Sequence, residues 1–199
     1  MGLVKEIKNY LKKNLDKDRY RHTLAVRRTA LKLTEEHLEF TSDEAKRQFK
    51  RKVSLAALLH DADKAKDPDK LWLRLKGDPN VRHKAVKDSR EVWHAFSAAL
   101  TAQTEFGVAD PEILDALRFH TTGRAGMTLL DKIIYLADYI EPGRTFPGVD
   151  KVREAAARGI DSGCLLAFDQ SIAHLKQKGA KLSPYTSEAR KDLLDHGIF

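Results

Sequence analysis

An ionisable pair, His60-Asp61, closes the apolar run Val53–Leu59. Burying such groups is costly unless something compensates them, and a metal ion is the obvious compensator. Isolated histidines stand on either side of this pair in the chain, at His22, His94 and His120. Asp138 lies inside a later apolar stretch, enclosed by Ile134, Leu136, Ala137 and Ile140. Taken singly, each has an ordinary structural explanation. His22 fits a hydrogen-bonded helix residue, His94 a satisfied core histidine and His120 a helix cap. Asp61 could cap the next turn, and Asp138 could pair with Arg118 or Arg144. Taken together, so many buried ionisable groups without a common partner would be expensive, which favours one metal centre gathered from across the chain.

Cysteine usage narrows the metal chemistry. Cys164 is the only cysteine, so neither a disulfide within the chain nor a thiolate cluster is available. Nitrogen and oxygen donors must do the holding, and that donor set suits iron, manganese, cobalt, nickel or zinc. Lys64 follows His60 by four residues and Asp61 by three, close to the same face if the helix continues. A lysine there would offset phosphate charge and help a leaving oxygen. Asp63 is expected to pair with Lys64 or to bind a water. His37, His83, His174 and His196 lack comparable surroundings and are left outside the metal set.

The elements that must position these residues read as helices throughout. Leu3, Ile7, Tyr10, Leu11 and Leu15 form one amphipathic face. A second helix runs from Arg19 to about Leu38, with His22 near its start. Thr41 followed by Glu44 gives a capping-box pattern for a helix from Asp43 to the His60-Asp61 region. Pro68 opens a short piece over Lys70–Lys76, which Gly77, Asp78, Pro79 and Asn80 break. The polar stretch Val81–Arg90 reads as a loop or a short helix. Glu91–Phe106 is helical and stops at Gly107, and Asp110-Pro111 starts a helix that ends near His120. Thr128 and Asp131 form a capping-box start for Leu129–Ile140, which makes Asp131 a cap. Further helices are expected around Lys151–Arg158, Ser162–Gln177 and Pro184–Asp195. No window shows sustained strand alternation.

The 199 residues suffice for one domain with a substantial core, and no run approaches the ~18 apolar residues of a membrane span. The start lacks a secretory apolar core, and the chain reads as cytoplasmic. The net charge of +7 fits an anionic small substrate, nucleic-acid contact or a merely basic surface. No RNA-binding signature or zinc finger accompanies it, so nucleic acid is not the expected partner.

The order His22, His60-Asp61, Asp138 on an all-helical chain resembles the H…HD…D pattern of the HD-domain metal-dependent phosphohydrolases. The segments Arg19–Leu24, Leu58–Asp61, Glu91–His94, Arg118–Arg124, Leu130–Val149 and Leu182–Arg190 are similar to the YqeK family within that superfamily. The resemblance implies an all-α, single-domain HD helical bundle. It implies an N-terminal helical extension over residues 1–18, a core over 19–145 and C-terminal helices over 146–199 packed on it. Family members are symmetrical bis(5'-nucleosyl)-tetraphosphatases, which implies metal-dependent hydrolysis of diadenosine tetraphosphate to two ADP. A phosphohydrolase acting on mononucleotides and a non-catalytic nucleotide-sensing or RNA-associated module are the alternatives.

The family's di-iron centre maps onto His22, His60, Asp61 and Asp138 for one metal and onto His94 and His120 for a second. Asp61 bridges the two and, with Lys64, carries the chemistry. Lys64, Arg118, Thr121, Thr122, Gly123, Arg124 and Arg144 match the substrate-binding walls. The family usually has an aromatic residue and then a small one after the HD pair, whereas this chain has Ala62 and Asp63. The expected partner is an anionic nucleotide, with a second copy of the chain as a candidate for the apolar faces of the last helices.

Overall fold

The computed structural model describes residues 2–78, 81, 86–87 and 89–197. Pro79, Asn80 and His83 lie outside the described residues. The described residues form α-helices joined by short turns and one 3-10 turn, with no strand among them. The helices are α1 (Leu3–Asn14), α2 (Lys17–His37), α3 (Asp43–Leu59), α4 (Pro68–Leu75) and α5 (Trp93–Phe106). They continue as α6 (Pro111–Phe119), α7 (Leu129–Ile140), α8 (Val149–Arg158), α9 (Ile160–Gln177) and α10 (Pro184–His196).

Local chemistry sets the helix starts. Asp16, Asp67 and Asp110 cap α2, α4 and α6 by accepting backbone N–H groups of the first turn. Thr128 and Asp131 form the reciprocal capping box of α7, as their spacing predicts. At α3 the cap falls one residue later than Thr41. Ser42 accepts from the Ala45 N–H, while the Glu44 carboxylate is taken by Arg47 and Gln48. Gly107 ends α5 in the left-handed conformation that glycine adopts without a Cβ penalty.

Helix α2 packs against α3 and α7, and α3 also meets α6. One apolar cluster runs from Ile7 and Leu11 of α1 through Leu58, Leu117, Ile134 and Phe168 to Leu193 of α10. A second cluster, including Leu71, Leu75, Trp93, Phe96 and Tyr185, fastens α4 to α5 and α10. This framework points the start of α2, the ends of α3 and α6, the start of α5 and the last turn of α7 at one another. No helix among the described residues is long and apolar enough to cross a membrane.

Candidate metal centre

The same local device is used at two helix ends. His60 and His120 are the C-cap residues of α3 and α6. Each donates its Nδ1 hydrogen to the carbonyl three residues back, Ala57 at 2.9 Å and Leu117 at 2.8 Å. The bond satisfies a carbonyl that the helix end leaves orphaned. It also fixes the tautomer, so Nε2 keeps its lone pair and faces inward. His22 reaches the same state by another route, with its Nδ1 3.1 Å from the Glu141 carboxylate. A ligand histidine with its second nitrogen held by a carbonyl or carboxylate is the usual support of a metal site.

Those nitrogens converge on two aspartates. Asp61 Oδ2 lies 3.5 Å from His60 Nε2 and 3.7 Å from His22 Nε2. Its other oxygen, Oδ1, lies 3.2 Å from His94 Nε2 and 3.7 Å from His120 Nε2. Asp138 Oδ1 is 3.0 Å from His22 Nε2 and 3.9 Å from His60 Nε2. Three overlapping triads have donor atoms within 4.8 Å of one another: His22–His60–Asp61, His60–His120–Asp138 and Asp61–His94–His120. His22 Nε2 and His60 Nε2 are buried and make no hydrogen bond. Buried polar atoms of native proteins rarely stay unpaired, so these inward lone pairs fit metal coordination.

Electrostatics keeps the cluster ready to bind cations. Burial acts to raise the Asp61 carboxyl, but the imidazoles of His60, His120 and His94 around it hold it well below the usual range. Asp138 is likewise lowered against burial, by His22 beside it and by His60 and Arg144. Burial pushes the His94 imidazole down to about 4, with His120 and Lys64 adding to the shift. At neutral pH the centre therefore offers charged carboxylates and a neutral His94. Cys164 is buried and its thiol is raised by that burial, which suits packing and not nucleophilic attack.

A model of the HD domain matches residues 19–143. The chain belongs to the HD-domain family. It is 38% identical over 88% of its length to the symmetrical bis(5'-nucleosyl)-tetraphosphatase of Bacillus subtilis, covering 89% of that protein. It is 38% identical to the Staphylococcus aureus protein of the same name, over 77% of this chain and 74% of that one. The crystal structure of a predicted HD superfamily hydrolase involved in NAD metabolism from Clostridium acetobutylicum superposes with a TM-score of 0.86 at 35% identity, covering 96% of each chain. These relatives support the resemblance to the YqeK family, and with the histidine and aspartate triads they fit an HD domain that binds divalent metal.

Around the centre the structure sorts the remaining residues expected from sequence. Lys64 Nζ sits 3.2 Å from His94 Nε2, at the rim. Arg144 grips Asp138 through both its backbone carbonyl, at 2.8 Å, and its carboxylate. Thr121 Oγ1 is 3.3 Å from His120 Nε2. These side chains border the centre. Four others are engaged in holding the fold. Arg118 pairs with Asp115 at 2.8 Å and Arg124 with Asp131 at 2.7 Å. Thr122 donates to the Gly123 carbonyl, and Gly123, at φ +65°, packs so closely on Phe168 and Ala189 that no Cβ fits.

Asp63 pairs with neither Lys64 nor solvent. It is fully buried and takes Lys66 and Arg74 as ion-pair partners, with Ser97 and Thr101 donating to the oxygen that Arg74 contacts. The departure from the family pattern at Ala62 and Asp63 thus ties the end of α3 to α4 and α5, with Ala62 in the core.

Two residues of the site escape sequence reasoning. Arg19 donates to Asp61 Oδ2 at 2.8 Å. Its signal is its position one turn before His22 on α2. Glu141 orients His22 and accepts the Gly143 N–H at 2.6 Å. Its signal is its place one turn after Asp138, in a Glu-Pro-Gly segment where a carboxylate would otherwise have no reason to be buried.

Proposed function

We propose that this protein hydrolyses diadenosine tetraphosphate at its central bridge and releases two molecules of ADP. The observation that carries the reading is the division of labour at Asp61. One oxygen faces His22 and His60, the other faces His94 and His120. A carboxylate set between two imidazole groups in this way suits a bridge between two metal ions. Residues His22, His60, Asp61 and Asp138 would hold one ion, and Asp61, His94 and His120 the other. Iron is the metal proposed, in keeping with the imidazole and carboxylate donors. Such ions, when bound, supply Lewis-acid chemistry, lowering the pKa of water and neutralising phosphate charge.

The chain's own residues do the rest. Glu141, Ala57 and Leu117 hold three imidazoles in the tautomer that leaves Nε2 free. Lys64, Arg19 and Arg144 form a cationic rim that binds the phosphates and orients them over Asp61. Lys64 stabilises charge on the departing ADP, and Thr121 hydrogen-bonds a phosphate oxygen beside His120. The shared name of the relatives supports the symmetrical cut, since two ADP arise only from the central bridge. The basic net charge aids capture of so anionic a substrate.

The test is product analysis. Protein reconstituted anaerobically with iron should convert diadenosine tetraphosphate to ADP alone, two per substrate consumed. AMP with ATP would place the cut elsewhere. Orthophosphate from mononucleotides, with the dinucleotide untouched, would assign the centre to a different phosphohydrolase reaction.

A further inference from the structure

A symmetrical substrate poses a geometric demand. If the central bridge lies over Asp61, equal nucleoside arms must extend to both sides of the centre. A cavity of about 240 Å³ opens beside the metal ligands, lined by His120, Thr121, Asp138, Tyr139, Arg144 and Phe146 among others. It shares Tyr139, Phe146 and Ser171 with a larger groove of about 840 Å³ between the loop after α7 and helix α9. Away from the metal ligands, the groove reaches Lys151, Gln170 and His174. Its volume falls in the range of small-molecule sites, which are mostly apolar with a few placed polar groups.

The walls are preorganised. Among the described residues Phe146 is one of the few large apolar side chains left exposed, at 37%, and it meets Tyr139 edge-on at 5.1 Å. Its loop is held by Arg153, whose guanidinium donates to the carbonyls of Ile140, Glu141 and Arg144 at 2.8–3.0 Å. Gln170 fastens the far side, donating to the Gly148 carbonyl at 3.0 Å and accepting from the Tyr139 hydroxyl at 3.3 Å. An exposed aromatic ring on a clamped loop is a stacking platform that needs little ordering to bind a planar base.

We propose that this groove is the subsite for one terminal nucleoside of the dinucleotide, with the base stacked on Phe146 and the ribose toward Lys151. The inference rests on the function proposed above, because it assigns one arm of that substrate. The arm runs from the phosphates near Arg144 and Thr121, past Tyr139, into the groove. Nothing reacts here: the subsite fixes the register of the phosphate chain over Asp61, so Phe146 is a specificity residue.

The test is calorimetric binding to metal-loaded protein of two probes: diadenosine tetraphosphate with a methylene at its central bridge, and inorganic tetraphosphate. Phe146→Ala should weaken the dinucleotide analogue about tenfold, the effect of removing one base-stacking ring, and leave inorganic tetraphosphate unchanged. Phe146→Tyr should restore the affinity. Unchanged affinity of Phe146→Ala for the analogue, or equal weakening of both probes, overturns the subsite. So does a wild-type protein that binds the analogue no more tightly than inorganic tetraphosphate. If Phe146→Ala weakens the analogue selectively while wild type releases no ADP from the natural dinucleotide, the reaction proposed above fails and the subsite stands.

Discussion

Replacing Glu141 by glutamine exchanges one carboxylate oxygen for an NH2 group and should disable His22 as a metal ligand with no loss of packing. In the wild type the two carboxylate oxygens have different duties. One lies 3.1 Å from His22 Nδ1, and the other accepts the Gly143 N–H at 2.6 Å. The backbone N–H is a donor only, so in Glu141→Gln the amide oxygen must turn to Gly143. The amide nitrogen then faces His22 Nδ1 and donates to it. His22 is forced to carry its proton on Nε2, the atom that points at Asp138 and Asp61. A protonated Nε2 cannot ligate, and moving the proton back leaves two donors opposed in a site only 3% exposed. Loss of an outer partner of this kind costs about 10- to 100-fold in metal affinity, and the tautomer conflict places Glu141→Gln near 100-fold, about 2.8 kcal/mol. Glu141→Ala imposes no wrong tautomer and should lose only about tenfold. Chelator-competition titration of each variant, with thermal melting of the metal-free forms to confirm folding, measures both. Wild-type affinity in Glu141→Gln, or a greater loss in Glu141→Ala than in Glu141→Gln, refutes the tautomer argument.

Protonation gives a second expectation. His94 is held down to about 4 by burial, so between the ordinary histidine value near 6.5 and about pH 4 the unfolded chain binds more protons than the folded one. Its contribution is fully present above about pH 6.5 and is lost as pH falls toward 4. The metal-free protein should lose up to about 1.4 kcal/mol per pH unit there through this group, and His94→Gln should flatten that part of a urea-denaturation pH profile. Asp63→Ala leaves Arg74, Ser97 and Thr101 without their shared acceptor and should destabilise by about 3 kcal/mol in urea while metal stoichiometry stays at the wild-type value. Gly123→Ala places a Cβ 2.5 Å from Phe168 at a positive φ and should cost about 3 kcal/mol. A Gly123→Ala protein of normal stability would refute this packing role of the glycine.

Much of this architecture is local and therefore legible in the sequence. The caps Asp110 and Thr128, the stop at Gly107 and the apolar faces follow from side chains acting within a turn of themselves. The ligand candidates stand out because each is an ionisable residue in a context that ought to be apolar. The choice of cation for each carboxylate is different, because it depends on how helix ends meet. Asp138 takes Arg144 and not Arg118, which Asp115 holds one turn away. Asp63 finds Arg74 of α4 and hydroxyls of α5, partners that no spacing within α3 could indicate. The cap of α3 at Ser42 instead of Thr41 is a one-residue slip between adjacent hydroxyls, either of which can bond the first turn.

The central claim is that Asp61 is shared between two metal ions. Anomalous diffraction from crystals of the iron-loaded protein tests it most directly. Two peaks should flank the Asp61 carboxylate. One belongs beside Oδ2 with His22, His60 and Asp138, the other beside Oδ1 with His94 and His120. A single peak, or a second ion that does not contact Asp61, would contradict the account.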